Sequence, residues 1–370
     1  MDKQRLLDGF FELVEIYSPS RHEGKVAAYL QGQLEGIGFT TTIDGSAAVT
    51  GSDTGNLIAR LEGTAPGRVV LAAHMDCVEP CLGIEPVVAD GIVRPAGATI
   101  LSADDKAGVA AVLEAVRSVI EAGVPRPEIV VVMTTGEELC LLGAKELPEE
   151  LFADGVPCFV FDAGGAPGTI VLAAPTHYGF HAEFKGKPVH AGVEPEAGRS
   201  AIQMAAAAIA AMPLGRLDEC TTANVGQIEG GSAVNVVPER CVVIGECRSL
   251  KEERVEAVKA QISDALDEAA ARFRGSVEVS WELDYPAMGY AEDDPFVTGL
   301  IEVIRQAGLE PALTVSGGGA DTNVIAKKGA RAITLGVGMA GFHSLEEHIA
   351  VQDLEDSARL IQALIAAYTQ

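Results

Sequence analysis

Five short segments of this sequence hold acids and imidazoles where they could do chemistry. Val69-Val70-Leu71-Ala72-Ala73 runs into His74-Met75-Asp76. Ile129-Val130-Val131-Val132-Met133-Thr134-Thr135-Gly136 runs into Glu137-Glu138, and Cys158-Phe159-Val160-Phe161 into Asp162. Ile333-Thr334-Leu335-Gly336-Val337-Gly338 leads through a short loop to His343, and Ser102-Ala103-Asp104-Asp105-Lys106-Ala107-Gly108 opens a helix. Ligands of open α/β sheets gather at the carboxyl ends of the strands, so the five segments are expected to converge. Asp76, Asp104, Glu137, Glu138 and Asp162 would then crowd one cleft. Buried like charges raise one another's pKa and cost stability unless something positive sits among them. Lys106 alone is too little, and divalent metal is the simplest resolution, with histidine and carboxylate oxygen as the usual ligands of a hydrolytic zinc site. Two metals sharing a bridging carboxylate and a bridging water would use five protein ligands and leave one glutamate as a base. Each segment has a plainer reading alone: Asp104-Asp105 as a helix cap, Glu137-Glu138 as a solvated turn, Asp162 as a turn residue before Ala163-Gly164-Gly165. Five of them, each after an apolar strand or opening a helix, are much harder to read that way.

The elements that must position these residues follow from the apolar pattern. Leu6, Leu7, Phe10, Phe11, Val14 and Ile16 form one helical face, and Ala27, Ala28, Leu30, Leu34 and Ile37 a second, ending at Gly38. Strands are expected at Asn56 to Leu61, Arg68 to Ala73, Glu128 to Thr134, Cys158 to Phe161 and Ile333 to Val337, all short continuous apolar runs of the kind buried on both faces. Helices are expected at Asp105 to Ala122, Asp321 to Lys328 and Val351 to Tyr368. The alternation predicts an α/β fold with a mostly parallel sheet covered by helices on both faces. From His177 to Tyr285 the rhythm changes. Strand-like segments at 179–184, 221–228, 240–248 and 276–283 alternate with helices at 197–211 and 251–274. This predicts an inserted α+β sandwich, a four-stranded sheet with two helices on one face. The expected domains are 1–176 with 287–370, and 177–286.

The 370 residues include 27 Lys plus Arg against 53 Asp plus Glu, a net charge of −26. A field of that sign repels phosphate backbones and anionic lipid, so neither nucleic acid nor a membrane surface is an expected partner. Apolar residues at 48% and charged residues at 22% argue against general disorder. No run approaches the ~20 apolar residues that span a bilayer, and the N-terminus has no signal-peptide core, so the expected location is the cytoplasm. Seven cysteines without a Cys-x-x-Cys pair read as small buried thiols in a reducing compartment. Cys77 and Cys140 flank the site segments, where oxidation could reach the chemistry.

The segments together resemble the dinuclear-zinc exopeptidases and amidohydrolases that include peptidase T, carboxypeptidase G and acetylornithine deacetylase. The resemblance covers nearly the whole chain and looks strongest to the peptidase T-like members. The family's His-x-Asp is matched by His74-Met75-Asp76, its Asp-x-Lys-Gly/Ala element by Asp104-Asp105-Lys106-Ala107-Gly108, and its Glu-Glu pair by Glu137-Glu138. Its late histidine is matched by Gly341-Phe342-His343-Ser344, with Glu346 and Glu347 following. In the inserted section, Pro188-Val189-His190-Ala191-Gly192 resembles a lid histidine segment, Asn235-Val236-Val237-Pro238 an Asn-Val-Val-Pro segment, and Arg248 a lid arginine. Ser102-Ala103 departs from the glycine-rich lead of many relatives, which affects loop shape and not ligation.

The resemblance implies the roles. His74, Glu138, Asp162 and His343 would bind two divalent ions, zinc first and cobalt or manganese as alternatives, with Asp104 bridging them. Asp76 would hold the His74 ring and raise its basicity. Glu137 would be the general base, taking a proton from the bridging water and delivering it to the leaving amine. His190 would stabilise the oxyanion. Asn235 and Arg248 would hold substrate polar groups, a carboxylate in the case of Arg248, and Gly317-Gly318-Gly319 would let backbone approach the substrate. His343 is preferred to His348 because it follows the Gly-rich loop. His22 reads as solvent-facing, and His177 and His181 as structural. Asp162 stands where peptide-cleaving members tend to have Asp and deacylases often Glu. The implied activity is therefore a metal-dependent tripeptide aminopeptidase. An N-acyl amino acid amidohydrolase or a carboxypeptidase is the alternative with the same mechanism. A metal-loaded binding module without catalysis has no use for Glu137. The expected partners are a small peptide or acylated amino acid and, through the inserted domain, a second copy of the chain, with His190 acting in cis or in trans. Hinges are expected near residues 176 and 286.

Overall fold

The computed structural model describes residues 1–369. The chain divides into two compact units, one of Met1–Ala173, Gly289–Ser316 and the residues from Ala320 onward, the other of Ala174–Met288 with Gly317–Gly319.

In the first unit, four strands lie side by side and parallel: Glu128–Thr134, Arg68–His74, Pro157–Ala163 and Arg331–Gly336. These are the apolar runs of the sequence, and their alternate residues are buried on opposite faces. Leu71, Phe159 and Ile333 pack into the core formed with the helices Lys3–Glu15, Gly24–Gly36, Ala103–Ala122, Pro295–Gln306 and Val351–Ala367. On the other face Val70, Val130, Val132 and Val160 are almost wholly buried, and Thr334 meets Thr322 of the helix Asp321–Lys327 at 2.5 Å. Burial of each such side chain contributes about 1.5–3 kcal/mol. The parallel sheet does not extend to the edges. Leu57–Leu61 joins Glu128–Thr134 antiparallel, Thr40–Ile43 joins Leu57–Leu61 antiparallel, and Thr169–Ala174 joins Arg331–Gly336 antiparallel. Ala312–Val315 then joins Thr169–Ala174 parallel, and the four parallel strands at the centre are where the chemistry-bearing segments leave the sheet. A small separate sheet pairs Pro86–Ala89, Ile92–Pro95 and Ile349–Ala350. The helix Pro295–Gln306, absent from the sequence expectation, starts where the Asp294 side chain accepts from the Phe296 amide at 2.7 Å, with proline in its first turn.

The second unit is an antiparallel sheet in the order Gly215–Asp218, Thr221–Gly230, Arg240–Ser249, Thr176–Lys185, Ser276–Tyr285. The helices Ala201–Ala211 and Glu252–Arg272 pack on it. Phe180, Ala182 and Phe184 alternate inward against Met204, Ala208, Val258 and Ile262. The sheet has five strands where the sequence predicts four. The extra strand, Gly215–Asp218, is short and half charged, and a tight hairpin lays it against Thr221–Ala223. No helix among the described residues is long and apolar enough to cross a membrane.

Candidate metal centre

The four parallel strands end at one edge of the sheet, and four of the five predicted segments leave from there. The fifth comes from the helix Ala103–Ala122, whose Asp104 and Asp105 depart from helical torsions, so that the regular helix begins at Lys106. Gly108 lets this helix press onto the strand Pro157–Ala163, since a Cβ there would lie 2.2 Å from the Phe161 carbonyl oxygen.

The Asp104 carboxylate divides between two groups of donors. Its Oδ1 is 2.9 Å from His74 Nε2, which lies 3.7 Å from Asp162 Oδ1. Its Oδ2 is 3.3 Å from His343 Nε2, which lies 2.9 Å from Glu138 Oε1. His74 with Asp162 on one side and His343 with Glu138 on the other could therefore hold two cations that share Asp104. Nitrogen and carboxylate oxygen suit zinc, cobalt and manganese. The side chains of Asp104, Asp162 and Glu138 are each about nine-tenths buried, whereas that of His343 is 48% exposed. His343 sits in the left-handed region at φ 60°, a strained backbone for a non-glycine residue and one often found at functional sites. The competing His348 is tied to its own loop, its Nδ1 2.8 Å from the Glu346 carbonyl oxygen.

The electrostatics carry the mark of acids without enough positive charge. Burial pushes the Asp162 carboxyl up to about 7. Burial, and then the neighbouring Asp162, drives Glu137 well above the usual carboxylate range. Asp104 and Glu138 together push the His343 imidazole up to about 10. Burial alone would lower His74, yet Asp104, Asp162 and Asp76 outweigh it and hold the ring well above its ordinary value. Lys106 is fully buried, but its Nζ donates to the Met75 carbonyl oxygen at 2.5 Å.

Several carboxylates position backbone here. Asp76 faces His74 Nδ1 at 3.4 Å, as the resemblance implies, and does a second thing that spacing could not tell. Its two oxygens accept the amides of Glu137 and Glu138 at 3.0 and 3.2 Å, and Ser20 Oγ donates to it at 2.7 Å. Glu23 accepts the Gly136 amide at 2.9 Å, just before that pair. Asp105, fully buried, accepts the amides of His74 and Gly108. Asp321 is buried, accepts from the Thr134 hydroxyl, and is pushed up to about 6 by burial. Glu347 accepts three amides of the Leu101–Asp104 loop. Glu23, Asp105, Asp321 and Glu347 are not among the residues to which the sequence assigns a role. Asp105 and Glu347 stood inside quoted motifs, and the other two carried no signal. His22 is exposed. Cys77 is buried, with Sγ 3.4 Å from the Ser18 carbonyl oxygen, and Cys140 is half-buried.

The four predicted site residues of the second unit fall into two groups. His190 and Asn235 are together: the Ala191 amide donates to the Asn235 carbonyl oxygen at 2.9 Å, and His190 bridges to Val236. Both are exposed. Arg248 belongs to the other group. It is ion-paired with Glu246, and its NH1 is 3.3 Å from the Tyr285 hydroxyl, which accepts the Gly319 amide at 3.0 Å. The glycine run therefore has a packing reason at Gly319, where a Cβ would lie 2.4 Å from the Tyr285 ring; Gly318 is half-buried beside it. His177 is buried between Glu246, 2.6 Å from its Nε2, and Asp284, 3.3 Å from its Nδ1.

A mixed nitrogen and oxygen donor set at the carboxyl edge of an α/β sheet, with the half-buried Glu137 next to a donor, defines a metal-dependent hydrolase. Residues 173–274 match the peptidase dimerisation domain, and residues 56–207 match peptidase family M28. The protein YqjE of Bacillus subtilis is 39% identical over 99% of this chain and 98% of its own length. The crystal structure of aminopeptidase PepT from Bacillus cereus is 38% identical with a TM-score of 0.89, and that of a tripeptidase from Staphylococcus aureus is 35% identical with a TM-score of 0.92, each covering 100% of both chains. The chain belongs to the peptidase T-like M20 metallopeptidases.

Proposed function

We propose that this enzyme is a tripeptide aminopeptidase that works with two divalent metal ions, zinc first, and a glutamate base. The observation that carries the reading is the division of Asp104 between His74 with Asp162 and His343 with Glu138. The full-length likeness to an aminopeptidase and a tripeptidase supports the substrate class. Bound cations would neutralise the crowded acids, acidify a water and polarise the scissile carbonyl. Glu137 takes the proton of that water on its carboxylate as the water oxygen bonds to the carbonyl carbon. It then delivers the proton to the leaving amine nitrogen as the C–N bond breaks. Asp76 fixes the turn that carries Glu137. His190 donates to the developing oxyanion, Arg248 and Asn235 hold the peptide's polar ends, and Gly318 offers a close backbone approach.

His190 and Arg248 lie at opposite ends of one sheet. Arg240 pairs with Lys185, and Arg248 with His177. Those eight residue steps span about 26 Å, and His190 lies beyond the Lys185 end. A tripeptide reaches ~10 Å. If both side chains touch one substrate they come from two subunits, so one of them, which we assign as His190, acts in trans across a homodimer. The match to a dimerisation domain supports this. So does the strand Thr221–Gly230, whose outer edge is paired only through Ala223 and carries the exposed Ile228. Buried thiols at Cys158, Cys241 and Cys247 suit a cytoplasmic setting.

The test is mass-spectrometric product analysis of the zinc-loaded enzyme with one tripeptide, free and N-acetylated. Release of the first residue from the free form alone is expected. Cleavage of the acetylated form alone would make it a deacylase or carboxypeptidase. Glu137→Gln should keep both metals and lose about 10²–10⁴-fold in kcat; metal content beside turnover checks this.

A further inference from the structure

Glu347 is wholly buried in the loop that carries His343, and its carboxylate faces a different loop. Oε2 accepts the amides of Leu101 and Ser102, both at 2.8 Å, and Oε1 accepts the amide of Asp104 at 2.9 Å. Its own loop is closed at the base by paired backbone hydrogen bonds between Ala340 and His348, at 3.0 and 2.9 Å. The Glu347 amide donates to Ser344 at 3.2 Å, and the Ser344 hydroxyl donates to the Gly341 carbonyl oxygen at 2.6 Å. A displacement of Glu347 therefore moves the His343 loop and the Asp104 loop together. Ser102, at the middle of the clamp, is held in the left-handed region at φ 63°, a conformation that needs outside support in a residue with a side chain.

We propose that Glu347 is a positioning residue that sets Asp104 and His343 at the spacing needed for a second metal ion, before any metal arrives. The proposal rests on the two-metal reading of the site. It gives Glu347 no contact with substrate or with a metal. Asp104 has one oxygen on each side of the centre, so a small shift of its backbone leaves room for one ion beside His74 but spoils the shared geometry that a second ion needs. His74 and Asp162, by contrast, stand on parallel strands and do not depend on the clamp.

Glu347→Gln is the sharp variant. The amide oxygen can replace Oε2 and keep Leu101 and Ser102, which preserves the fold. The NH2 group then opposes the Asp104 N–H, so the fault falls on Asp104 alone. The probe is cobalt(II), titrated into the metal-free wild type and variant and followed by calorimetry and by the spectroscopic signature of a coupled cobalt pair. We expect the first ion to bind as in the wild type, the second to bind about 10- to 100-fold more weakly, the pair signature to fade, and the metal-free thermal midpoint to hold. Two ions at wild-type affinity with an unchanged pair signature would overturn the assignment and leave the two-metal reading standing. A wild type that takes up one ion only would overturn both. Hydrogen exchange on the metal-free wild type needs no variant. The amides of Leu101, Ser102 and Asp104 should exchange slowly, and exchange at unstructured rates would overturn a clamp that precedes the metals.

Discussion

The metal-centre loops and the loops of the inserted unit hold their functional residues in different ways. Around the centre, carboxylates reach across the chain to grip backbone amides: Asp76 on Glu137 and Glu138, Glu23 on Gly136, Glu347 on Leu101, Ser102 and Asp104. The gripped residues are largely buried. At His190 and Asn235 the contacts are backbone to backbone, and among the described residues the imidazole accepts only the amide of Gly192, two residues on, at 3.1 Å. Both side chains are exposed. The first region is held by hydrogen bonds of its own, and misplacing a ligand by a fraction of an ångström would forfeit a metal.

That contrast can be broken most severely at Asp104. Asp104→Ala should bring turnover to background and reduce bound metal from two ions to one at most, measured by elemental analysis beside activity. Next comes His190→Ala, which should keep both metals and lose about 10²–10³-fold in kcat. Mixing it with Asp104→Ala sharpens the point. A mixed dimer then has one site with an intact metal centre and an intact histidine from the other subunit, so part of the activity should return. No return would make His190 act in cis. Arg248→Met should leave kcat near the wild-type value and raise KM about 10- to 100-fold for peptides with a free carboxylate, from initial-rate kinetics.

The smallest effect is on stability. Burial pushes Glu246 up, but His177 and Arg248 outweigh it and hold its carboxyl at about 2, below the ordinary 4.5. A depressed folded pKa contributes stability that is present above the ordinary value and lost as pH falls through the folded one. The gap in thermal midpoint between wild type and Glu246→Gln should therefore be open near about pH 6 and close on approach to about pH 2. A gap that is constant with pH would mean that Glu246 stabilises by packing.

What could be read from the sequence was what buried strands force on it. Runs such as Val69–Ala73 and Ile129–Met133 can only be buried on both faces, and the residues that follow them had to emerge at one edge. The strand Gly215–Asp218 escaped because four residues with two charges have no period to detect. The helix Pro295–Gln306 had an Asp-Pro start and apolar residues at 296, 297, 300, 301 and 304, a signal that was there to be taken. The grip of Glu347 on Asp104 was out of reach, because a carboxylate 243 residues away from an amide leaves no spacing to read. So was the distance between His190 and Arg248, which follows from how long the lid strands run and in what order they pair.

If His190 acts in trans, that distance has a consequence for how the enzyme behaves as its amount changes. An active site completed by a second copy makes specific activity a function of dilution. Below the dissociation constant of the dimer, each chain would keep its metals and its base yet turn over slowly. Rate would then rise with more than the first power of enzyme added, and the midpoint of that curve would read the strength of the dimer without any need to separate it.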